Sequence, residues 1–349
     1  MRWLASLGLQ DRPSVGGKGA SLGELERAGI RVPPGFVVTT AAFETLMTGL
    51  ERADPIDTIR TRVASLDAND LPAITQACGE IRERIENAPF PAELHAAIAA
   101  AYIELSNGES ETPVAVRSSA TSEDSADASF AGLQDTYLWV RGAEQVLHNV
   151  RSCWASLYSV ESVSYRLRLK LPESNVAMGV VVQRMVNSQC SGVMFTRSPT
   201  SGDRSVIAIE GSWGLGSSIV SGEVTPDKYV VSKVTGEITH RTVSEKRIQH
   251  LPDVVAGGIR HEAVPDERQS LPCITDAQIA ELVQVGKRVE RHYGSAQDIE
   301  WAIAHGEHGV YLLQSRPETV WATREATPVA APKARAFDHV LSLLSGRQR

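Results

Sequence analysis

Two acids, an amide and an arginine alternate with apolar residues late in the chain: Asp298 and Glu300 in AQDIEWAI, Gln314 and Arg316 in GVYLLQSR. Alternation of this kind places side chains on one face of a strand. If the intervening turn centres on Glu307, Glu300 faces Gln314 and Asp298 faces Arg316, so all four project together. The opposite face then carries Ile299, Trp301, Leu313 and Ser315. Carboxylate and amide oxygens are hard ligands suited to Mg2+, which one or two carboxylates hold together with substrate phosphates. An adjacent arginine is able to grip a phosphate oxygen through two N–H groups. The same residue types also suit a plain salt-bridge ladder, and spacing alone leaves both readings open.

Glycine-rich stretches raise the same question of an anionic ligand. VGGKGASL sets Lys18 among Gly16, Gly17 and Gly19 directly before a helix, where backbone N–H groups attract phosphate. It is not a Walker loop, because Gly19 follows Lys18 in place of Ser or Thr. GSWGLGSSIVSG (211–222) lacks the dinucleotide-binding spacing, since Ile219 stands where the last glycine is needed, and it reads as a flexible turn. VRSSATSEDSADASFAGLQDTY (116–137) has the composition of a linker but is punctuated by Arg117, Gly132 and Thr136. It is either solvated slack or a loop that closes over something anionic.

The chain of 349 residues is long enough for two or three subdomains, with 42% apolar and 22% charged residues. A net charge of −7 argues against a nucleic-acid surface, which needs a basic face. The four cysteines, Cys78, Cys153, Cys190 and Cys273, are scattered, with no C-x-x-C pair. That pattern fits reduced, buried thiols of a cytoplasmic protein better than a disulfide framework or a zinc site. MRWLASLGLQDRP lacks the apolar core of a signal peptide, and no run is long enough to span a membrane, so a cytoplasmic, non-membrane location is expected.

Several elements must position these residues. Residues 41–106 have helical spacing, as at Ile81 and Ile85 or Leu94 and Ile98, broken by Pro55, Pro72, Pro89 and Pro91. A strand is expected at Phe36–Val38; TPVAV and DTYLWV are two more, and 143–169 returns to helix. AMGVVVQRMV and CSGVMFTR read as strands of a hairpin turning at Asn187-Ser188, followed by strands in RSVIAIE, KYVVSKV and GEITHRTV. ITDAQIAELVQVGKRVERHYG is an amphipathic helix with Thr275 or Asp276 as its cap and Gly294 as its stop. The two strands bearing the polar quartet close the folded region. The fold class is α+β, with a helical front half and a sheet-rich back half.

Taken in order, GGKGASLGEL, VPPGFVVT, AVRSSATSEDSADASFAGLQDTYL, GVVVQRMV, SGVMFT, EGSWGLGSSIVSGEVTPDKY, QDIEWAI and LLQSRPET resemble the N-terminal nucleotide-binding domain of phosphoenolpyruvate synthase and pyruvate phosphate dikinase. The resemblance covers roughly residues 11–322 and implies a two-lobed, ATP-grasp-type fold. The implied division is an N-terminal lobe over 1–186, a C-terminal lobe with metal-binding strands over 187–322, and a linker with a short helical tail over 323–349. It also implies ATP and Mg2+ as ligands. Lys18 matches the phosphate-binding lysine, Arg117 a phosphate contact, and Gly132 and Thr136 the nucleotide loop. Gln183, Met185 and Val186 lie in the segment that holds adenine largely through backbone groups. Asp298, Glu300, Gln314 and Arg316 match the metal and phosphate residues, with Glu300 and Gln314 as the Mg2+ ligands.

Family members usually carry a mobile phosphohistidine domain with a Thr-Ser-His or Thr-Cys-His type motif, and none of the nine histidines here lies in one. His240, in GEITH, falls in an expected strand and reads as structural. The resemblance therefore implies a partner subunit bearing the phosphohistidine and the acceptor site. The expected activity is an ATP-dependent phosphotransferase that yields AMP and phosphate and phosphorylates that histidine, with a phenol or alkylphenol as final acceptor, as in phenylphosphate synthase-like systems. A split phosphoenolpyruvate synthase, a rifampicin-type phosphotransferase and a non-catalytic, nucleotide-responsive regulatory subunit are the alternatives.

Overall fold

Uninterrupted apolar runs in the first half form strands covered on both faces. The structure, a computed structural model, describes residues 1–53, 58–109, 111–121, 135–173, 176–306, 309–319 and 321. Strands β1 (Arg2–Trp3), β2 (Gly35–Val38), β3 (Val114–Ala120), β4 (Thr136–Val140) and β5 (Met178–Arg184) form one antiparallel sheet in the order β1-β2-β5-β3-β4. Helix α1 (Arg12–Arg27) lies on one face, where Val15, Ala20 and Leu22 bury Val37 and Val181. The other face, with Phe36, Val38, Val180 and Val182, packs into a larger core. That core is supplied by α2 (Thr40–Ala53), α3 (Ile59–Ala64), α4 (Leu71–Glu86), α5 (Ala92–Leu105), α6 (Ala143–Ser156) and α7 (Val160–Leu169). Burial on two sides is why GFVV and VVV show no polar alternation. Three of the four prolines act as expected: Pro72 sits in the first turn of α4, and Pro89 and Pro91 separate α4 from α5, while Pro55 lies outside the described residues.

The second sheet is built from β6 (Ser188–Phe195), β7 (Val206–Trp213), β8 (Asp227–Ser232), β9 (Ile238–Thr242), β12 (Gln297–Ala304) and β13 (Val310–Pro317). Its order is β13-β12-β6-β7-β8-β9, antiparallel throughout. A separate hairpin pairs β10 (Ile248–Pro252) with β11 (Ile259–Ala263). Short helices α8 (Ser217–Val220) and α9 (Asp266–Gln269) flank the sheet, and α10 (Asp276–Tyr293) buries Ile279, Leu282, Val283 and Val289 in its core. Thr275 caps α10 in a reciprocal box with Gln278, and Gly294 ends it in the left-handed region, as its sequence signals indicate.

The Asn187-Ser188 signal does not make a hairpin. β5 pairs with β2 and β3, whereas β6 pairs with β12 and β7, so the chain leaves one sheet and enters the other at this point. A local turn signal specifies a change of direction but not the partner strand. Residues Met1–Glu318 form one compact unit, and the expected linker and tail (323–349) lie outside the described residues. The fold is α+β. No helix among the described residues is long and apolar enough to cross a membrane. All four cysteines are unpaired and buried. Burial pushes the Cys78 thiol up to about 11 and the Cys190 thiol up to about 12.

The lysine-bearing loop is partly helix. Helical structure begins at Arg12, ahead of the glycines, and is interrupted where Gly16 adopts φ 74°, ψ 177°. A Cβ at Gly16 would lie 1.8 Å from the carbonyl oxygen of Ser119 on β3. Gly16→Ala is therefore expected to destabilise the protein by at least about 1–3 kcal/mol through backbone strain, before any clash is counted. Denaturant unfolding with an unchanged midpoint would contradict this.

Candidate functional site

Arg117 reaches the site from the middle of β3, a strand buried along its whole length, and is only 8% exposed. Its Nη1 donates to the Leu313 carbonyl at 2.7 Å. Its Nη2 donates both to Glu300 Oε2 at 3.1 Å and to Gln314 Oε1 at 2.7 Å. One nitrogen from the first sheet thus draws together a carboxylate and an amide oxygen from two strands of the second. The Nε of Arg117 is buried and has no hydrogen-bond partner among the described residues. A buried donor in that state is costly unless an acceptor arrives.

The expected register of the closing strands is present: Asp298 opposes Arg316 and Glu300 opposes Gln314. Asp298 Oδ2 lies 3.5 Å from Arg316 Nε. Beyond Glu300 the register shifts, and Trp301 opposes Leu312. This bulge corrects one expectation. Leu312, not Leu313, joins Trp301 in the core, while Leu313 turns to a cavity and lends its carbonyl to Arg117.

That cavity, of about 780 Å³, falls in the size range of small-molecule and cofactor sites. Arg117, Thr136, Gln183, Met185, Val186 and Glu300 all line it. Its wall is largely apolar, with Ala115, Val140, Val193, Leu215 and Trp301 contributing, which suits a flat base. Gln183 is fixed, its Nε2 donating to the Pro33 carbonyl at 3.0 Å. The amides of Arg184 and Met185 donate to Pro34 and Pro113, each at 2.9 Å. These bonds tie down the segment as it passes between the sheets, and they leave the amides of Arg184 and Met185 already engaged.

Lys18, Asp298, Gln314 and Arg316 stand outside the cavity lining. Gln314 nevertheless shares Arg117 with Glu300. Lys18 follows the Gly16 break and is half-buried. Its loop is tied to β3 by Ser119, whose hydroxyl accepts from the Gly19 amide and donates to the Val15 carbonyl. Ser119 and Arg117 share a face of β3. Burial, then Asp135, push the Cys153 thiol up, and the Lys18 ammonium opposes them, so the lysine charge lies within electrostatic reach of α6. Gly132 lies outside the described residues.

Sequence reasoning missed part of the wall. Trp139 is buried against the cavity at φ 57°, a conformation that costs a bulky residue on the order of 1–3 kcal/mol. Its carbonyl accepts from the amide of Gly258, which with Gly257 lines the same cavity. GSWGLGSSIVSG, read as a flexible turn, supplies Leu215, Gly216, Ser217 and Val220. The Gly-Gly pair was a legible turn signal; the left-handed tryptophan carried none.

The family model for the pyruvate phosphate dikinase AMP/ATP-binding domain matches residues 12–336. A probable phosphoenolpyruvate synthase of Methanothermobacter thermautotrophicus is 44% identical over 333 residues, covering 94% of this chain and 47% of that protein. The phosphoenolpyruvate synthase of Pyrococcus furiosus is 38% identical, covering 98% of this chain and 46% of that protein. A rifampicin phosphotransferase from Streptomyces is 44% identical over 306 residues, covering 87% of this chain and 34% of that protein. The chain thus spans about half or less of the length of these relatives. Its sequence, its α+β fold and the nucleotide-sized cavity between its two sheets agree: the chain belongs to the pyruvate phosphate dikinase AMP/ATP-binding domain family.

Proposed function

We propose that this chain binds Mg-ATP in the cavity and serves as the nucleotide-binding part of a phosphotransferase. The observation that carries the proposal is the meeting of Arg117, Glu300 and Gln314, where a cation and two hard oxygen donors from different sheets converge. Adenine would occupy the apolar wall, read by the carbonyls of the 183–186 segment and by Val186. The buried Arg117 Nε would meet a phosphate oxygen, and Lys18, Arg316 and Thr136 would hold the rest of the polyphosphate. The donor set fits Mg2+, because Glu300 and Gln314 already direct oxygens at one cationic nitrogen. Asp298 would support that pair. When bound, the ion would neutralise phosphate charge and fix the in-line geometry.

The group transfer we propose is attack by an imidazole nitrogen of a partner chain on the β-phosphorus. The phosphorus–oxygen bond to AMP breaks; water then attacks the terminal phosphorus, which leaves as phosphate while the β-phosphoryl group stays on the imidazole. His240 lies on exposed β9, hydrogen-bonded to Thr242. A phenol or alkylphenol is the final acceptor we propose. The second reading, pyruvate as acceptor, is favoured by the phosphoenolpyruvate synthase relatives.

Turnover with β-³²P- and γ-³²P-ATP in parallel, with and without the phosphohistidine partner, tests this. AMP release that depends on the partner, β-label on its histidine and γ-label freed as phosphate are expected. Phenol, pyruvate and rifamycin arms then identify the acceptor. ADP accumulation, or phosphorylation of an acceptor by this chain alone, would overturn the reading. Lys18→Ala should lower the rate by on the order of 10²- to 10³-fold, the scale for losing one preorganised charge-stabilising donor. Its thermal midpoint should stay near that of the parent, and an undiminished rate would remove Lys18 from the site.

A further inference from the structure

Away from Arg117 and Glu300, the described residues hold a second meeting of potential ligands: Glu223, His250 and His261. The two histidines are directly opposed in the β10–β11 hairpin, and their rings stack with centroids 4.0 Å apart. Glu223, just beyond α8, turns a single oxygen toward both. Its Oε2 lies 3.4 Å from His250 Nε2 and 3.2 Å from His261 Nδ1. The three ligand atoms all lie within 4.8 Å of one another. Donors around a tetrahedral ion at about 2.0–2.1 Å stand roughly 3.3 Å apart, so the spacing needs little adjustment.

The surroundings match those of a metal-binding histidine. His250 is 2% exposed, and its second nitrogen, Nδ1, lies 2.8 Å from Ser217 Oγ. With that hydroxyl accepting from Nδ1–H, Nε2 is left as a lone pair able to ligate an ion; with the hydroxyl donating to Nδ1, Nε2–H meets Glu223 instead. In the first tautomer a carboxylate oxygen and an imidazole lone pair converge, a pairing that a shared cation satisfies. His261 and Glu223 are partly exposed and leave a path from solvent. Two imidazoles and one carboxylate suit a borderline ion of the zinc class and do not suit Mg2+, which takes oxygen ligands.

We propose that Glu223, His250 and His261 form a binding site for a zinc-class divalent ion, with Ser217 orienting His250. The three ligands come from the segment after α8 and from the two strands of the hairpin. Ser217, Val220 and Ile259, from the same segments, line the large cavity. The ion is therefore structural: it ties α8 to the β10–β11 hairpin and stiffens one wall of the cavity.

Chelator-treated protein, titrated with Zn2+ against a chromophoric chelator slightly above neutral pH, tests this. One equivalent should bind, Co2+ in its place should show the visible bands of a tetrahedral ion, and Zn2+ should raise the unfolding temperature. His261→Ala, at an exposed position that leaves the fold intact, and Glu223→Gln should each weaken binding by at least about 100-fold. Ser217→Ala should weaken it by about 10- to 100-fold. Glu300→Ala should bind Zn2+ like the parent, separating this site from the one proposed for Mg2+. Absence of saturable one-equivalent binding, or equal binding by His261→Ala, would leave the three residues a hydrogen-bonded clasp and overturn the proposal.

Discussion

Glu300→Ala is expected to lower ATP turnover by on the order of 10³-fold, the upper end of what one preorganised electrostatic contact supplies. The carboxylate is the only ionised member of the Glu300–Gln314 pair, so its removal leaves Arg117 with neutral acceptors alone, Gln314 and the Leu313 carbonyl. The fold should survive. The Glu300 side chain is 37% exposed, and Arg117 retains two partners, so the stability cost should stay within about 1–3 kcal/mol. Glu300→Gln separates the roles, because it restores an acceptor for Arg117 but not a charge. Turnover in Glu300→Gln should remain low even in excess Mg2+, with its unfolding midpoint near the parent's. A Gln variant with parental turnover would show that Glu300 serves only to hold Arg117.

The largest expected loss of stability lies far from that chemistry. Asp227→Ala should destabilise the protein by about 3–5 kcal/mol, the scale for breaking a fully buried ion pair. Asp227 and Lys246 are both 0% exposed, with Lys246 Nζ 2.6 Å from Asp227 Oδ1. The carboxylate also accepts from the amides of Ser244 and Cys273, each at 2.9 Å. It thereby fastens β8 to the segments before β10 and α10. Alanine leaves an ammonium and two amides in the interior without that acceptor. Denaturant unfolding of Asp227→Ala, of Lys246→Met and of an Asp227→Leu/Lys246→Met double variant measures the effect. The double variant should recover part of the loss, since an apolar pair leaves no buried charge behind. A loss below about 1 kcal/mol in Asp227→Ala would mean that water reaches the pair.

Much of the site could be read before any fold was known, because its information is local. The alternation in QDIEWAI and YLLQSR indicated a shared face for Asp298, Glu300, Gln314 and Arg316, and the expected pairing of Asp298 with Arg316 and Glu300 with Gln314 is the one present. Thr275 and Gly294 marked the ends of α10 through their own backbone chemistry. The misread features depend on distant neighbours. A bulge moved Leu313 to the cavity, although nothing in GVYLLQSR distinguishes it from Leu312. The chain leaves one sheet at Arg184 and enters another at Ser188, a choice made by partner strands remote in sequence. IQHLP and IRHEA, strands β10 and β11, escaped notice because they lack a regular apolar alternation. The expectation of a phosphate contact at Arg117 came only through resemblance; its observed hold on Glu300 and Gln314 spans 183 and 197 positions.

Photolabelling with 8-azido-ATP in the presence of Mg2+, followed by peptide mapping, tests the placement of the nucleotide most directly. The photoreactive base should mark the peptide containing Gln183, Met185 and Val186, or Leu138–Val140 of β4 in the same sheet, since both line the cavity. Excess ATP should protect against labelling, and omission of Mg2+ or the Glu300→Ala change should weaken it. Label that maps outside every cavity-lining segment, or that ATP does not suppress, would contradict an ATP site between the two sheets.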